Sequence, residues 1–381
     1  MTDTAGQTPP RRLRVGVLFG GRSAEHEVSL ASARAVMDNL QGDDVEVVPI
    51  GITRGGQWIA GGDPWQALSD GTLEGSAPVA LLPDPSQQGE LMRLERGGNA
   101  VAANGAPRLA GLDVIFPVLH GTYGEDGTVQ GLLDMADVAY VGCGVMASAV
   151  GMDKAMMKTV FAAAGLPMAP YLVIMRREWD ATPDAVVSQI EAALPYPLFV
   201  KPANSGSSVG ISKVRDAAEL RAAMDLAAGY DRKIVVEQGI DAREIEVSVL
   251  GNDDPAVSLP GEIIPAREWY DYDAKYVDEE TSLVIPARLP QATTEQVQRL
   301  AVLAFKAVDA SGLSRVDFLL DRHTGELWLS EINTLPGFTP MSMYARMWEA
   351  SGVGYAELCR RLVRLAVERH DDRQRNRTER A

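Results

Sequence analysis

Apolar residues along the chain keep two rhythms, one of short continuous runs and one of helical spacing. Leu13-Arg14-Val15-Gly16-Val17-Leu18-Phe19-Gly20-Gly21 is a nearly unbroken apolar run ending in glycines, which predicts a buried strand entering a turn. A helical pattern follows from about Glu25 to Leu40, and a second strand spans 45–52. This β-loop-α-β order is the opening of a doubly wound parallel sheet. Residues 55–108 are rich in Gly, Pro and polar side chains and read as loops and short strands covering one edge. A buried strand returns at 112–119 and runs into His120-Gly121-Thr122-Tyr123-Gly124-Glu125-Asp126-Gly127. The loops Gly20–Glu27 and His120–Gly127 both fall at carboxyl ends of strands, where open parallel sheets form their ligand crevice.

From about Ala147 the pattern changes. A helix over 148–164 ends at Gly165, with Pro167 just beyond. Strands are expected at 171–175, 198–202 and 233–237, with helices over 183–193 and 217–228, forming a small α+β unit. Residues 244–250 alternate apolar and polar, and 268–280 form a loop rich in aromatic and charged residues. A helix near 295–309, strands at 315–320 and 326–332, and an amphipathic helix over 355–368 follow. The charged tail 371–381 reads as disordered.

Composition narrows the function. The chain has 381 residues, too many for one ordinary core, and a net charge of −16. That charge argues against nucleic acid as a partner, because phosphate backbones are held by clustered Lys and Arg. Cys143 and Cys359 cannot build a disulfide framework, and none of His26, His120, His323 and His370 has metal-ligand spacing, so zinc is not expected. The N-terminus lacks an apolar signal segment, and no run approaches a membrane span, so a soluble cytoplasmic protein with no membrane partner is expected.

Two stretches carry candidate chemistry. Arg315, Asp317, Glu331 and Asn333 fall on two strands joined by Asp321-Arg322-His323-Thr324-Gly325, which sets Asp317 opposite Glu331 and Arg315 opposite Asn333. Their oxygen donors suit magnesium with phosphate, although a solvated strand face would look the same. Lys201-Pro202 precedes a Gly/Ser loop, 204–210, whose N–H groups and hydroxyls can wrap phosphate oxygens beside a lysine, and such a loop can equally be a plain turn. No Walker A or Rossmann glycine fingerprint occurs.

The order of these parts, Met152-Asp153-Lys154, then Lys201 with its loop, then Glu237, then Asp317 and Glu331-x-Asn333, resembles the ATP-grasp fold. Gly20-Gly21-Arg22-Ser23-Ala24-Glu25-His26-Glu27-Val28-Ser29-Leu30, His120-Gly121 with Gly124-Glu125-Asp126-Gly127, Tyr270-Asp271-Tyr272 with Lys275-Tyr276, and Glu331-Ile332-Asn333-Thr334-Leu335-Pro336-Gly337 are similar to D-alanine–D-alanine ligases. The resemblance covers about residues 13 to 368.

It implies a mixed α/β and α+β architecture, an ATP-grasp fold behind a Rossmann-like (pre-ATP-grasp) domain, with domains at 1–146, 147–240 and 241–381. It also implies ATP as co-substrate, two Mg2+ (or Mn2+) ions, D-alanine as substrate for peptidoglycan precursor synthesis, and a homodimer. In this resemblance Glu25 holds the first D-alanine's ammonium and His120 lies beside its reacting carboxylate. Lys154, Lys201 and Ser208 meet phosphate, and Glu237 and Glu244 the adenine and ribose end. Asp317, Glu331 and Asn333 ligate metal, Arg315 and the Gly337 N–H form the oxyanion site, and Lys275 and Ser342 receive the second carboxylate. Tyr276 latches to Ser207 and Glu25 in a closing lid. Departures occur at Gln238, at Leu335 and in the uncharged loop 203–207. Rival readings are a D-alanine–D-lactate ligase, an ATP-grasp carboxylase subunit and a non-catalytic ATP sensor.

Overall fold

The computed structural model describes residues 11–23, 25–87, 89–94, 111–206, 209–264 and 282–377. Strand β1 (Leu13–Gly20) is followed by helix α1 (His26–Leu40) and by β2 (Val45–Ile52), parallel to β1. The other edge of β1 pairs in parallel with β6 (Val114–Val118), so the expected doubly wound opening is present. Between them β3 (Trp58–Ala60), helix α2 (Pro64–Asp70), β4 (Ala77–Leu81) and β5 (Leu91–Arg93) extend one edge with antiparallel strands. Helix α3 (Thr128–Met135) leads to β7 (Ala139–Tyr140), and the sheet order is β5-β4-β3-β2-β1-β6-β7. The short strands described between 58 and 93 match the expectation, but α2 does not. It has its own signals: Asp63 accepts the Gln66 N–H at 3.0 Å, Pro64 opens the first turn, and Gly71 ends it at φ +70°.

The expected single helix over 148–164 is two helices, α4 (Val145–Met152) and α5 (Lys154–Ala163). Asp153 breaks it by taking an extended conformation and capping α5, its carboxylate accepting the Ala155 and Met156 N–H groups. The small α+β unit follows: β8 (Tyr171–Met175), α6 (Arg176–Ala181), α7 (Pro183–Ala193), β9 (Leu198–Pro202), β10 (Ser212–Val214), α8 (Ala217–Tyr230) and β11 (Lys233–Gln238). Its antiparallel sheet, ordered β10-β9-β11-β8, packs Leu198, Val200, Ile234 and Val236 against Val187, Ile190, Leu220 and Met224 of its helices.

The third sheet comprises β12 (Ala242–Gly251), β13 (Ala256–Val257), β14 (Gly261–Ile264), β15 (Ser282–Val284), β16 (Gly312–Asp321) and β17 (Leu327–Asn333). Helix α9 (Gln291–Ala307) covers one face, where Val297, Ala301 and Phe305 meet Ile245, Val247, Val316, Phe318, Leu327 and Leu329. The opposite face holds the polar residues. In β17 the register slips by one residue between Asp317 and Phe318, leaving Ser330 as a bulge. The chain closes with α10 (Met343–Ala350) and α11 (Tyr355–Arg373). Helix α11 runs past Asp371, where a disordered tail was expected, because Arg373 pairs with Asp134 and Gln374 bonds Asp137 (2.6 Å). Its apolar face, Leu358, Leu362, Val363 and Ala366, shares one core with β1, β6 and α1 of the first sheet.

Candidate functional site

The first loop is shaped by glycine. Gly20 turns at φ +90°, and an added Cβ would lie 2.2 Å from the Ile52 carbonyl, so no other residue fits there. The Gly20 N–H donates to Ser29 Oγ (2.8 Å), and Ser29 Oγ donates to the Val118 carbonyl, which ties the loop to α1 and β6. Glu25, buried at the start of α1, thereby faces the second loop. A Cβ on Gly121 (φ +73°) would sit 3.0 Å from Glu25 Oε2, and one on Gly206 would sit 3.5 Å away. Three loops distant in sequence, around Glu25, Gly121 and Gly206, converge on one carboxylate.

His120 lies at the end of the β6 strand run, buried, with Nδ1 3.2 Å from the Leu335 carbonyl. Burial lowers its pKa, partly offset by Glu25 and by the Leu335 carbonyl, so the ring is neutral at pH 7. With Nδ1–H donating to Leu335, Nε2 is a buried acceptor that has no partner among the described residues. Glu125, which the sequence reading left without a role, accepts the Gly121 N–H (2.8 Å). Burial, and then Glu25 beside it, push its carboxyl well above the usual range.

The central unit supplies cations. Lys154, at the start of α5, donates from Nζ to the Ser205 carbonyl (2.7 Å), and its N–H donates to the Ala203 carbonyl (3.0 Å). Asn204 is anchored on Asp231 by its N–H (2.8 Å) and its side-chain amide (2.9 Å), which fixes the loop entrance. Lys201 Nζ lies 2.8 Å from Glu237 Oε2, while Lys158 Nζ lies 3.1 Å from Glu237 Oε1. Burial alone would raise the Glu237 pKa, but Lys201 and Lys158 outweigh it and hold the carboxyl at about 2. Burial would lower Lys201, and Glu237, Glu331 and Glu244 together raise it. Lys201 therefore faces carboxylates of both the second and third sheets.

On β16 and β17, Asp317 pairs with Glu331 and Arg315 with Asn333, as the spacing predicts. The Arg315 guanidinium forks onto Asp317, Nε to Oδ1 at 2.8 Å and Nη2 to Oδ2 at 2.7 Å, and lies 3.1 Å from Glu246 Oε2. Burial works against its charge, but Asp317 and Glu246 keep its pKa well above the ordinary value. Glu246 is buried and stands opposite Asp317 on β12, which makes Glu246, Asp317 and Glu331 a row across three strands. The donors Asp317, Glu331 and Asn333 are all oxygen, the set that magnesium prefers, and a cation there would compete with the Arg315 fork for Asp317. Beyond β17, Asn333 Oδ1 accepts the Leu335 N–H (3.1 Å), and Gly337 approaches Ser342, a Cβ there lying 3.5 Å from its Oγ. Ser342 Oγ accepts the Thr339 N–H (3.0 Å).

Glu25, His120, Lys154, Lys201, Glu237, Glu244, Arg315, Asp317, Glu331, Asn333, Gly337 and Ser342 all lie among the described residues. Ser207, Ser208, Lys275, Tyr276 and the expected lid over 268–280 lie outside them. Lys158, Glu125 and Glu246 are the residues that sequence reasoning missed.

The chain matches the family models for the D-ala D-ala ligase N-terminus over residues 14–143 and the D-ala D-ala ligase C-terminus over residues 160–364. The D-alanine–D-alanine ligase of Heliobacterium modesticaldum is 52% identical over 366 residues, spanning 96% of this chain and 98% of its own. Among solved structures, the VanG D-Ala:D-Ser ligase from Enterococcus faecalis superposes with a TM-score of 0.81 at 34% identity, covering 93% of this chain and 100% of that one. The D-alanine–D-alanine ligase from Coxiella burnetii gives a TM-score of 0.78 at 34% identity, covering 95% and 96%.

Proposed function

The chain belongs to the D-alanine–D-alanine ligase family, and on that premise we propose that it joins two D-alanines to D-alanyl-D-alanine at the expense of ATP, for peptidoglycan precursor synthesis. In the first step a carboxylate oxygen of one D-alanine attacks the γ-phosphorus and ADP leaves. In the second, the neutral amine of another D-alanine attacks the acyl phosphate and inorganic phosphate leaves.

The observation that carries this reading is the convergence on Glu25. A buried carboxylate at the meeting of three loops, beside a neutral His120 whose Nε2 can only accept, suits an ammonium. Holding that ammonium sets the adjoining carboxylate toward the Gly/Ser loop, with Lys154 and Lys201 to meet the phosphates. Glu237 and Glu244 border the nucleotide end. Arg315 and the Gly337 N–H fit the oxyanion of the tetrahedral intermediate, and Ser342 the second carboxylate. Asp317, Glu331 and Asn333 would hold two magnesium or manganese ions, which supply charge neutralisation on the transferring phosphoryl group. A homodimer and a cytoplasmic location complete the proposal, with domains at 1–146, 147–240 and 241–381. Among the described residues no helix is long and apolar enough to cross a membrane.

The test is phosphate release from ATP and magnesium with no amino acid, with D-alanine, and with D-alanine plus D-lactate or D-serine. Release that needs D-alanine, with D-alanyl-D-alanine as main product from pH 7 upward, is expected. Release without D-alanine would make the protein an ATPase, and no release under any of these conditions would make it a sensor. A dominant ester or D-alanyl-D-serine product would move the acceptor, and D-serine has specific support in the VanG similarity.

A further inference from the structure

Lys201 is assigned to phosphate in the reading above, on which this inference rests, yet its Nζ is already paired with Glu237 at 2.8 Å. A lysine cancelled by a buried glutamate offers little charge to an incoming anion. The other oxygen of that glutamate, however, faces Lys158 at 3.1 Å. Lys158 is 1% exposed, projects from α5 and lies over the Tyr171 ring at 5.1 Å, so it is sealed inside the protein behind Glu237. Two ammonium groups share one carboxylate, and the buried triad carries one net positive charge.

We infer that Lys158 is a positioning residue for phosphate binding. It neutralises Glu237 from behind, so that the charge of Lys201 remains available to the nucleotide. Glu331 and Glu244 also draw on Lys201, so the site would be acidic without this reserve cation. Lys158 contributes without touching the ligand, and its effect should appear only where phosphate is bound.

The measurement is the ratio of ADP to adenosine affinity, by calorimetry on the full chain. Adenosine shares the base and ribose and lacks the phosphates. Lys158→Met is expected to reduce the ratio roughly tenfold, the scale of coupling between members of one salt-bridge network, with the D-alanine KM nearly unchanged. Lys158→Arg should recover most of it. In a Glu237→Gln background, with no carboxylate to neutralise, Lys158→Met should have little further effect. Glu237→Gln alone should leave the ratio equal or higher, a reading that does not depend on the Lys158→Met protein folding. Equal losses for ADP and adenosine, or the same loss in the Glu237→Gln background, would reduce Lys158 to a packing role and overturn the inference. Lys201→Met separates the two levels. An unchanged ratio in that variant removes the phosphate role of Lys201 itself, whereas a collapsed ratio there with a normal one in Lys158→Met removes only the inference.

Discussion

Glu237 is an ionised carboxylate kept inside the protein by two lysines, and its stability contribution has a definite pH window. Its carboxyl titrates at about 2 when folded, against 4.5 in the unfolded chain. A depressed folded pKa means that the stabilisation is fully present above 4.5 and disappears as pH falls toward 2. Glu237→Gln leaves Lys201 and Lys158 without their counter-charge and should cost about 3–5 kcal/mol at pH 7. The gap between variant and parent should close between pH 4.5 and 2, where the parent's Glu237 is itself neutralised. Urea unfolding across that range checks it, and a gap independent of pH would contradict the charge assignment. Lys201 and Asp317 were legible in the sequence because strands present alternate residues to one face and their neighbours are apolar. Lys158 was not, since the helix pattern counts Lys as solvent-facing. The signal existed: Lys158 stands four residues after Lys154, and both fall within the stripe that buries Ala155, Met157 and Phe161. Glu246 was equally available, two residues after Glu244 on the polar face of β12.

Among the elements, β17 depends on one extra residue. Strict alternation from Leu327 and Leu329 would turn Glu331 into the core that α9 covers. The bulge at Ser330 reverses the faces, so Glu331 and Asn333 join Arg315 and Asp317 while Ile332 takes over the core side. Sequence spacing located the cross-strand pairs correctly but has no local mark for the bulge, which is set by packing on both sides. Deleting Ser330 sets Glu331 directly after Leu329, where strict alternation keeps Glu331 and Asn333 beside Arg315 and Asp317, so turnover should survive the deletion as it should survive Ser330→Ala. A deletion variant that keeps the parent's melting temperature yet loses turnover would contradict this account of the two faces. The two helices taken as one over 148–164 have a related cause. Asp153 is an acceptable helix residue by propensity, and only its hydrogen bonds to two N–H groups show it as a cap. Helix α2 was hidden by the Gly and Pro around it, although Asp63-Pro64 and Gly71 mark its two ends.

At the scale of the whole molecule, Arg369 of α11 joins regions far apart in the chain. Its guanidinium donates to the Gly142 carbonyl, to Ser311 Oγ (2.6 Å) and to the Tyr140 carbonyl (3.1 Å), and lies 4.3 Å from the centre of the Tyr140 ring. Arg369→Met should cost about 2–3 kcal/mol through the acceptors left unpaired. Chemical denaturation reads the loss, and an unchanged midpoint would show the contacts to be incidental. The adenosine affinity should stay as it was, because Arg369 stands apart from the cleft. Helix α11 has another consequence, which concerns time and not energy. The core around β1, β6 and α1 is finished by Leu358, Leu362, Val363 and Ala366, near the far end of the chain. A protein emerging from the ribosome in order thus offers this sheet to the cell with one flank uncovered, and keeps it so until helix α11 has been made. The opening segment cannot settle into final form while the remainder is being made. Premature termination anywhere before Tyr355 would release a nascent chain whose oldest part is still sticky, a natural client for chaperones and proteases.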